Sequence, residues 1–175
     1  MIRDTFSNFN QLLPILQKVT IFSGFTEMQI RDVCNKCSII DAETGDILLE
    51  EKMPATEIFI LLIGKVSIVL KLKEDPLEVI EFGPGNCIGE ASVIGIQEHS
   101  ASAVVMENAT LLVLSRQVLM GLFENDKGLF ALLILNIARE LARRLYRTDQ
   151  ILFHYGKIEK LKQPLFNCFD NQEDS

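Results

Sequence analysis

Short hydrophobic runs, several of them alternating with polar residues, fill the middle of the chain between Ser38 and Leu114. Turn-forming residues separate these runs, for example at Gly45, Pro54 and Gly64. Regularly spaced short strands with turn signals between them are typical of antiparallel sandwiches and barrels. The pattern therefore predicts an antiparallel β jelly roll, a double-stranded β-helix, in this part of the chain.

The spacing of apolar residues is helical on both sides of this region. Residues 5–19 and the segment after Thr26, which can cap a helix, predict two N-terminal helices. A short helix is predicted over residues 116–125, and a long one from about Gly128 to a stop at Gly156. The predicted fold class is α+β, with N-terminal helices, the jelly roll and a long C-terminal helix.

Apolar residues of the long helix advance by alternating steps of four and three, the pattern of a helix that packs against a partner helix. The predicted dimerisation seam is formed by Ile134, Ala138, Leu141, Leu145 and Leu152. The alternative is that these residues pack only on the jelly roll of the same chain. The chain is thus divided into an N-terminal helical segment (residues 1–19), a β-roll (20–127), a dimerisation helix (128–156) and a loose tail (157–175).

The composition does not change the predicted fold, but it limits the kinds of partner that the chain is expected to bind. Hydrophobic residues make up 48% of the chain and charged residues 23%, as in a folded globular protein. The net charge of −7 repels phosphate backbones, and only a short mixed-charge segment follows the long helix, so we expect no nucleic-acid binding.

The compartment is predicted from three features. The first residues lack the apolar run of a secretion signal, and no apolar run reaches the length of a membrane span. Four cysteines do not make a disulfide scaffold in a chain of 175 residues. We therefore expect a cytoplasmic protein without a membrane partner.

The segment Gly83–Val105, GPGNCIGEASVIGIQEHSASAVV, carries the most information about function. A Gly-Glu pair is followed by a short apolar stretch and then by small residues that lead into a strand. Such a loop and helix suit a small anion that is bound by backbone N–H groups.

This segment resembles the phosphate-binding cassette of cyclic-nucleotide-binding domains, the family of the catabolite activator and of the protein kinase A regulatory subunits. Phe22–Phe25 is similar to the family's entry motif, Gly45 to its conserved turn, Ile60–Lys65 to its central strand and Gly83–Gly85 to the turn before the cassette. The resemblance covers roughly residues 19–150.

The resemblance implies a cyclic nucleotide, cAMP or cGMP, as the ligand. No metal is expected, because the chain has only two histidines, His99 and His154, on segments of different kind. Gly89 would allow close approach of the sugar, and Glu90 would bind the ribose hydroxyl. The remaining family positions would surround the phosphate; they are Ala91, Ser92, His99, Ser100 and Ala101.

His99 departs from the family, which places an arginine at this position. Arginine is permanently charged and donates a fork of hydrogen bonds, whereas histidine is only partly charged at neutral pH. No lysine or arginine lies between Lys73 and Arg116. We therefore expect a cyclic nucleotide or a similar small anion to bind weakly.

The leading hypothesis is a non-enzymatic regulatory module that acts through a homodimer or a protein partner. The alternative is an interaction module with a vestigial nucleotide pocket. A third hypothesis, a redox or iron–sulfur sensor, rests on the Cys34–Cys37 pair, with Cys87 and Cys168 as the only further thiols. With two histidines and no assembled nucleophile and base, an enzyme is not expected.

Overall fold

The computed structural model describes residues 2–3 and 9–159, with side-chain exposure from residue 9 to residue 154. Residues 4–8 of the predicted N-terminal segment, the predicted tail from residue 160 onward and Cys168 lie outside the described residues. The chain divides into two compact units, residues 1–140 and 141–175.

Apart from β1, the strands and helices follow the predicted order along the described residues. They are β1 (Ile2–Arg3), α1 (Phe9–Leu16), a 3-10 turn (Thr20–Phe22), α2 (Glu27–Cys34), β2 (Ser38–Ala42), β3 (Ile47–Leu49), β4 (Glu57–Leu70), β5 (Leu77–Phe82), β6 (Cys87–Ile88), α3 (Glu90–Gly95), β7 (Ser102–Ser115), α4 (Arg116–Asn125) and α5 (Lys127–Glu159).

All strand pairings in the first unit are antiparallel. The strands follow the order β1-β2-β7-β4-β5, while β3 also pairs with β7 and β6 pairs with β4. The two 14-residue strands β4 and β7 pair along most of their length and form the centre of the β-roll. The predicted fold class, an antiparallel β-roll between N-terminal helices and a long C-terminal helix, is confirmed.

Strand β4 bends at Gly64, where its register with β7 shifts repeatedly. The φ angle of Gly64 is +91°, and a Cβ there would lie 2.8 Å from both Ala109 Cα and Glu107 O. Only glycine combines this left-handed conformation with the missing side chain. The sequence pattern predicts two strands on either side of Gly64, whereas the structure joins them into one bent strand.

Both faces of the first half of β4 are buried. Phe59 and Leu61 belong to the apolar cluster inside the roll, together with residues of β6 and β7. Ile58 and Ile60 on the opposite face are fully buried as well, and α1 and α3 pack against this strand. A strand that is buried on both faces needs no polar positions, which explains the unbroken apolar run in the sequence.

The N-terminal helices are fixed by local sequence signals. Thr26 caps α2, since its Oγ accepts a hydrogen bond from the Gln29 amide at 3.2 Å and the Gln29 side chain accepts one from the Thr26 amide at 2.9 Å. This capping box confirms that α2 begins after Thr26.

Two boundaries differ from the prediction. Ile2 and Arg3 form a short strand on β2, opposite Ile40 and Ile39, where a helical segment was predicted. Helix α5 continues through Gly156 to Glu159, so residues 157–159 do not belong to a loose tail. Glycine lowers helix stability by only about 1 kcal/mol relative to alanine, so helix-compatible neighbours can carry a helix through it.

In the first unit, α5 buries Leu129, Leu133 and Ile137. The buried Asn136 amide donates hydrogen bonds to the carbonyls of Ile21 at 3.1 Å and Ser23 at 2.7 Å. Of the predicted seam, Ala138 is exposed and Ile134 is half-buried. In the second unit, Leu141 is half-buried, whereas Leu145 and Leu152 are 63% and 62% exposed.

Among the residues described, none of the helices has the length and the apolar character that a membrane crossing requires.

Candidate ligand-binding site

The predicted cassette connects β6 to β7, which pair with opposite edges of β4. Strand β6 pairs with the start of β4, with Ile88 opposite Phe59, and the chain then turns at Gly89 into the short helix α3. After α3 it returns past His99 to Ser102, where β7 begins. The segment is therefore held at both ends by strands of the central sheet.

Gly89 packs closely against β4. Its φ angle is +88°, and a Cβ there would lie 2.9 Å from the Glu57 carbonyl oxygen, 3.3 Å from a Leu49 methyl carbon and 3.6 Å from His99 Cε1. Any side chain at Gly89 would thus meet both backbone and ring atoms. The structure brings Gly89 and His99, two of the predicted ligand residues, into direct proximity.

Glu90 is the first residue of α3 and is only 1% exposed. The N-terminal end of a helix favours a negative charge, although over six residues this effect is small. Ser92, in the first turn of α3, is buried as well. Ala91 and Ser100 are exposed and Ala101 is half-buried.

The backbone of His99 is anchored to the loop that precedes β4. Its amide donates to the Met53 carbonyl at 3.0 Å, and its own carbonyl accepts from the Lys52 amide at 2.8 Å. The side chain is 7% exposed, and within the described chain no group hydrogen-bonds to its ring. Burial lowers the pKa of His99 below its ordinary value. Burial therefore favours the neutral form of the imidazole.

A cavity of about 310 Å³ opens beside His99. Its walls are formed by β3, the loop before β4 and the start of β4; they consist of Ile47, Leu48, Leu49, Glu50, Met53, Pro54, Thr56, Glu57, Phe59 and His99. This volume lies at the lower end of the range of small-molecule pockets, roughly 300–1,000 Å³.

The charges around this cavity are acidic. Glu50 and Glu57 contribute carboxylates, and no lysine or arginine is among the lining residues. Glu50 forms an ion pair with the exposed Lys73. The side chain of Glu57 is exposed at the first position of β4 and makes no ion pair within the described residues. Glu90 does not line the cavity, so the structure does not place the two predicted polar contacts, Glu90 and His99, on the same wall.

Two functional candidates are not evident from sequence motifs. Glu57 stands two positions before Phe59, so both side chains point to the same face of β4. The sequence does not show that Glu57 lines a cavity, because this depends on which face of β4 points into the roll. Arg116 contacts the cassette from 23 residues away in the chain, with Nη2 at 3.3 Å from the Val93 carbonyl oxygen, and no local pattern indicates this contact.

The cysteines give no support to the redox hypothesis. Cys34 and Cys37 are buried, and burial raises the pKa of Cys34 to about 12 and that of Cys37 above its ordinary range. Both are protonated thiols at neutral pH, whereas redox and metal chemistry use the thiolate. In the described part of the chain, no three histidine, cysteine or acidic side chains are grouped as metal ligands.

The family model of the cyclic nucleotide-binding domain matches residues 39–126, just over half of the chain. These residues contain the β-roll and the cassette. The chain therefore belongs to the cyclic nucleotide-binding domain family, and the resemblance seen in the cassette motifs is confirmed.

Solved structures agree with this assignment. A cyclic nucleotide-binding domain from Methylobacillus flagellatus matches with a TM-score of 0.73 and 27% identity, over 82% of each chain. The catabolite activator protein of Thermus thermophilus matches with a TM-score of 0.69 and 25% identity, over 78% of this chain but only 63% of the activator. The regulatory domain of Toxoplasma gondii protein kinase A, crystallised with cAMP, has the same fold, with a TM-score of 0.63 and 15% identity, over 77% of this chain and 49% of that one.

Proposed function

We propose that this chain is a non-enzymatic regulatory module that senses a cyclic nucleotide with low affinity. The observation that carries the proposal is the packing of Gly89 against the Glu57 carbonyl and the His99 ring, next to a cavity. This packing keeps the cassette backbone close to the space that a ligand would occupy. Family membership supplies the class of ligand.

The residues at the site fit a cyclic nucleotide in part. In the proposed complex, Glu90 accepts a hydrogen bond from the ribose hydroxyl. The phosphate is surrounded by the amides of Ala91, Ser92 and Ala101, by Ser100 and by His99. These groups supply hydrogen-bond donors but no permanent positive charge.

The missing charge explains the low affinity that we propose. A guanidinium would make a charged, two-pronged contact with the phosphate, and its loss costs on the order of 2–4 kcal/mol, or tens to hundreds of fold in affinity. The carboxylates of Glu50 and Glu57, which line the cavity beside His99, further oppose an anionic ligand.

We further propose that the output is passed on by a homodimer or by a protein partner. The exposed apolar residues Leu145 and Leu152 of α5 are available for a partner helix. Together with Ile134, Ala138 and Leu141 they form the seam defined above.

A second candidate function is a protein-interaction module whose nucleotide pocket is vestigial. The acidic lining of the cavity favours it, because Glu50 and Glu57 oppose an anionic ligand. In that case the protein acts through partner binding at the seam of α5, and the cavity binds no ligand.

Calorimetric titration with cAMP and with cGMP separates the two functions, with linear 5′-AMP as the control for non-specific binding. The sensor predicts saturable binding of at least one cyclic nucleotide in the micromolar range and none of 5′-AMP. If neither cyclic nucleotide binds up to millimolar concentration, the proposed sensing function is wrong and the interaction module remains.

A further inference from the structure

Strand β5 (Leu77–Phe82) lies at one end of the sheet. It pairs with β4 along one edge, and no other strand in the described part of the chain pairs with it. Alternate residues of such a strand direct their N–H and C=O groups away from the sheet, where a further strand can pair with them. We call this side of β5 its outer edge.

The register with β4 gives β5 two faces of different character. Side chains that lie opposite each other in an antiparallel pair are on the same face of the sheet. Leu77, Ile80 and Phe82 lie opposite alternate residues of β4 and therefore share one face. Glu78 and Glu81 lie opposite the residues between these and share the other face.

A bulge at Val79 produces this separation. The register with β4 shifts by one residue, so that Val79 has no opposite residue on β4. Strict alternation would put Leu77 and Glu81 on the same face. The extra residue changes the phase of the strand, as bulges do, and so separates the apolar side chains from the acidic ones.

The apolar face of β5 continues the interior of the roll but is open to solvent. Phe82 packs against the apolar cluster inside the roll, whereas Leu77 and Ile80 are 61% and 48% exposed. An antiparallel strand with one buried face normally exposes its polar residues only. Large aliphatic side chains next to an unpaired strand edge are typical of a surface that binds a partner.

The acidic residues limit which strand can pair with this edge. Glu78, and Glu74 and Asp75 in the preceding turn, are exposed and form no ion pair within the described residues, whereas Glu81 lies 3.5 Å from Lys65 Nζ. If two copies of β5 paired antiparallel over their whole length, Glu78 of one copy would lie opposite Glu81 of the other. Like charges in opposite positions are destabilising, so a second copy is disfavoured.

We propose that the outer edge of β5 is a docking site for an extended segment of a partner protein in which apolar residues alternate with lysine or arginine. Such a segment would add a strand to the sheet. Its apolar side chains would lie beside Leu77 and Ile80, and its basic side chains beside Glu78 and Glu81. The proposal depends neither on the nucleotide site nor on the seam of α5.

Fluorescence anisotropy tests this docking site on the full chain. The probe is a labelled peptide of alternating valine and lysine, long enough to span β5, and the control peptide alternates valine and glutamate. Two further valine–lysine peptides carry N-methyl groups at either the odd or the even positions, which removes the backbone donors along one edge of the peptide. The protein variant is Glu78→Lys, and its matched control is Glu124→Lys, at an exposed position in α4.

The wild type should bind the valine–lysine peptide saturably and should not bind the valine–glutamate peptide. Glu78→Lys should weaken binding by about five- to tenfold, because a favourable cross-strand charge pair becomes a repulsive one, and Glu124→Lys should leave it unchanged.

One of the two N-methylated peptides should lose binding, since only one edge of the peptide pairs with β5. A cationic peptide held by charge alone would tolerate both methylation patterns. Absence of binding, equal binding by the wild type and Glu78→Lys, or equal binding of both methylated peptides and the parent would overturn the proposal.

Hydrogen exchange measured by mass spectrometry locates the bound peptide. It should slow exchange in residues 77–82, whose outward amides are unpaired by other described strands. Protection of other segments without β5 would overturn the proposal. Light scattering tests for a second copy at this edge. Wild-type assemblies larger than a dimer that the valine–lysine peptide dissociates would identify a second copy as the occupant and overturn the proposed partner.

Discussion

At the scale of single residues, the account depends on His99. The imidazole is buried, and burial lowers its pKa and so favours the neutral ring. Binding of a phosphate anion would stabilise the protonated, positively charged form of the His99 ring. Ligand binding and protonation of His99 should therefore support each other, which makes the site sensitive to pH in a way that an arginine site is not.

We predict that the affinity for a cyclic nucleotide strengthens as the pH falls from about 8 to about 6. The sign follows from the lowered pKa: at pH 8 the ring must take up a proton before it can contribute charge, and this cost shrinks as the pH approaches the pKa. Calorimetry in two buffers of different ionisation enthalpy measures both the affinity and the proton uptake, and His99→Gln is the control. A pH-independent affinity with no proton uptake in the wild type would rule out this role.

Gly89 gives a second residue-scale prediction. Both Gly89→Ala and Gly45→Ala place a side chain at positive φ, which costs about 1–2 kcal/mol of folding stability. At Gly45 the new Cβ would meet no atom within 4 Å, whereas at Gly89 it meets the Glu57 carbonyl. Urea unfolding should therefore show a larger loss for Gly89→Ala, by about 1–3 kcal/mol as expected for overpacking. Equal losses for the two variants would contradict the close approach of the cassette to β4.

Gly89, Glu90 and His99 could be named as site candidates from the sequence, because the segment around them resembles the cassette of the family. Whether they share one cavity could not be predicted, and the structure places His99 but not Glu90 on its wall. Glu57 and Arg116 were not predicted either, since each reaches the site through long-range packing.

At the scale of elements, the positions of the main strands and of α2 and α4 follow from hydrophobic spacing, turn residues and caps, whereas α3 was expected only from the resemblance to the cassette. That β4 is one continuous strand could not be predicted, because a glycine such as Gly64 normally indicates a turn. In the structure this glycine bends a paired strand, and the pairing with β7 on both sides keeps the strand continuous. The end of α5 was predicted wrongly for a similar reason, since a glycine alone does not decide whether a helix stops.

The backbone conformation at Gly64 predicts that two glycine substitutions have opposite effects on folding stability. In Gly64→Ala the Cβ would lie 2.8 Å from backbone atoms of both Glu107 and Ala109, so we expect a loss of about 3 kcal/mol or more. Gly121→Ala, inside α4 with no atom within 4 Å, should instead stabilise by roughly 0.5–1 kcal/mol. Chemical denaturation measures both, and a neutral Gly64→Ala would show that β4 does not need this bend.

At the scale of the whole molecule, α5 presents apolar residues that an isolated chain would leave in water. Leu145 and Leu152 are more than half exposed. Exposed leucines at heptad-like spacing are typical of a helix that pairs with another helix. Their exposure supports the proposed dimer and does not depend on the nucleotide site.

We predict that the wild type has twice the mass of one chain in light scattering at tens of micromolar. Leu145→Glu and Leu152→Glu together should give monomers, because two carboxylates would be buried in the interface. Arg147→Glu, at an exposed position outside the seam, is the control for a change of charge. A monomeric wild type, or a dimeric double variant, would show that the seam does not mediate assembly.

The central claim is that the family's nucleotide site persists here in a weakened form, without its permanent cation. The most direct test is to compare cAMP and cGMP titrations of the wild type and His99→Arg at the same pH. The account predicts that the substitution tightens binding by tens to hundreds of fold, as one restored guanidinium–phosphate contact should. Equal affinities, or no binding by either protein up to millimolar nucleotide, would contradict it.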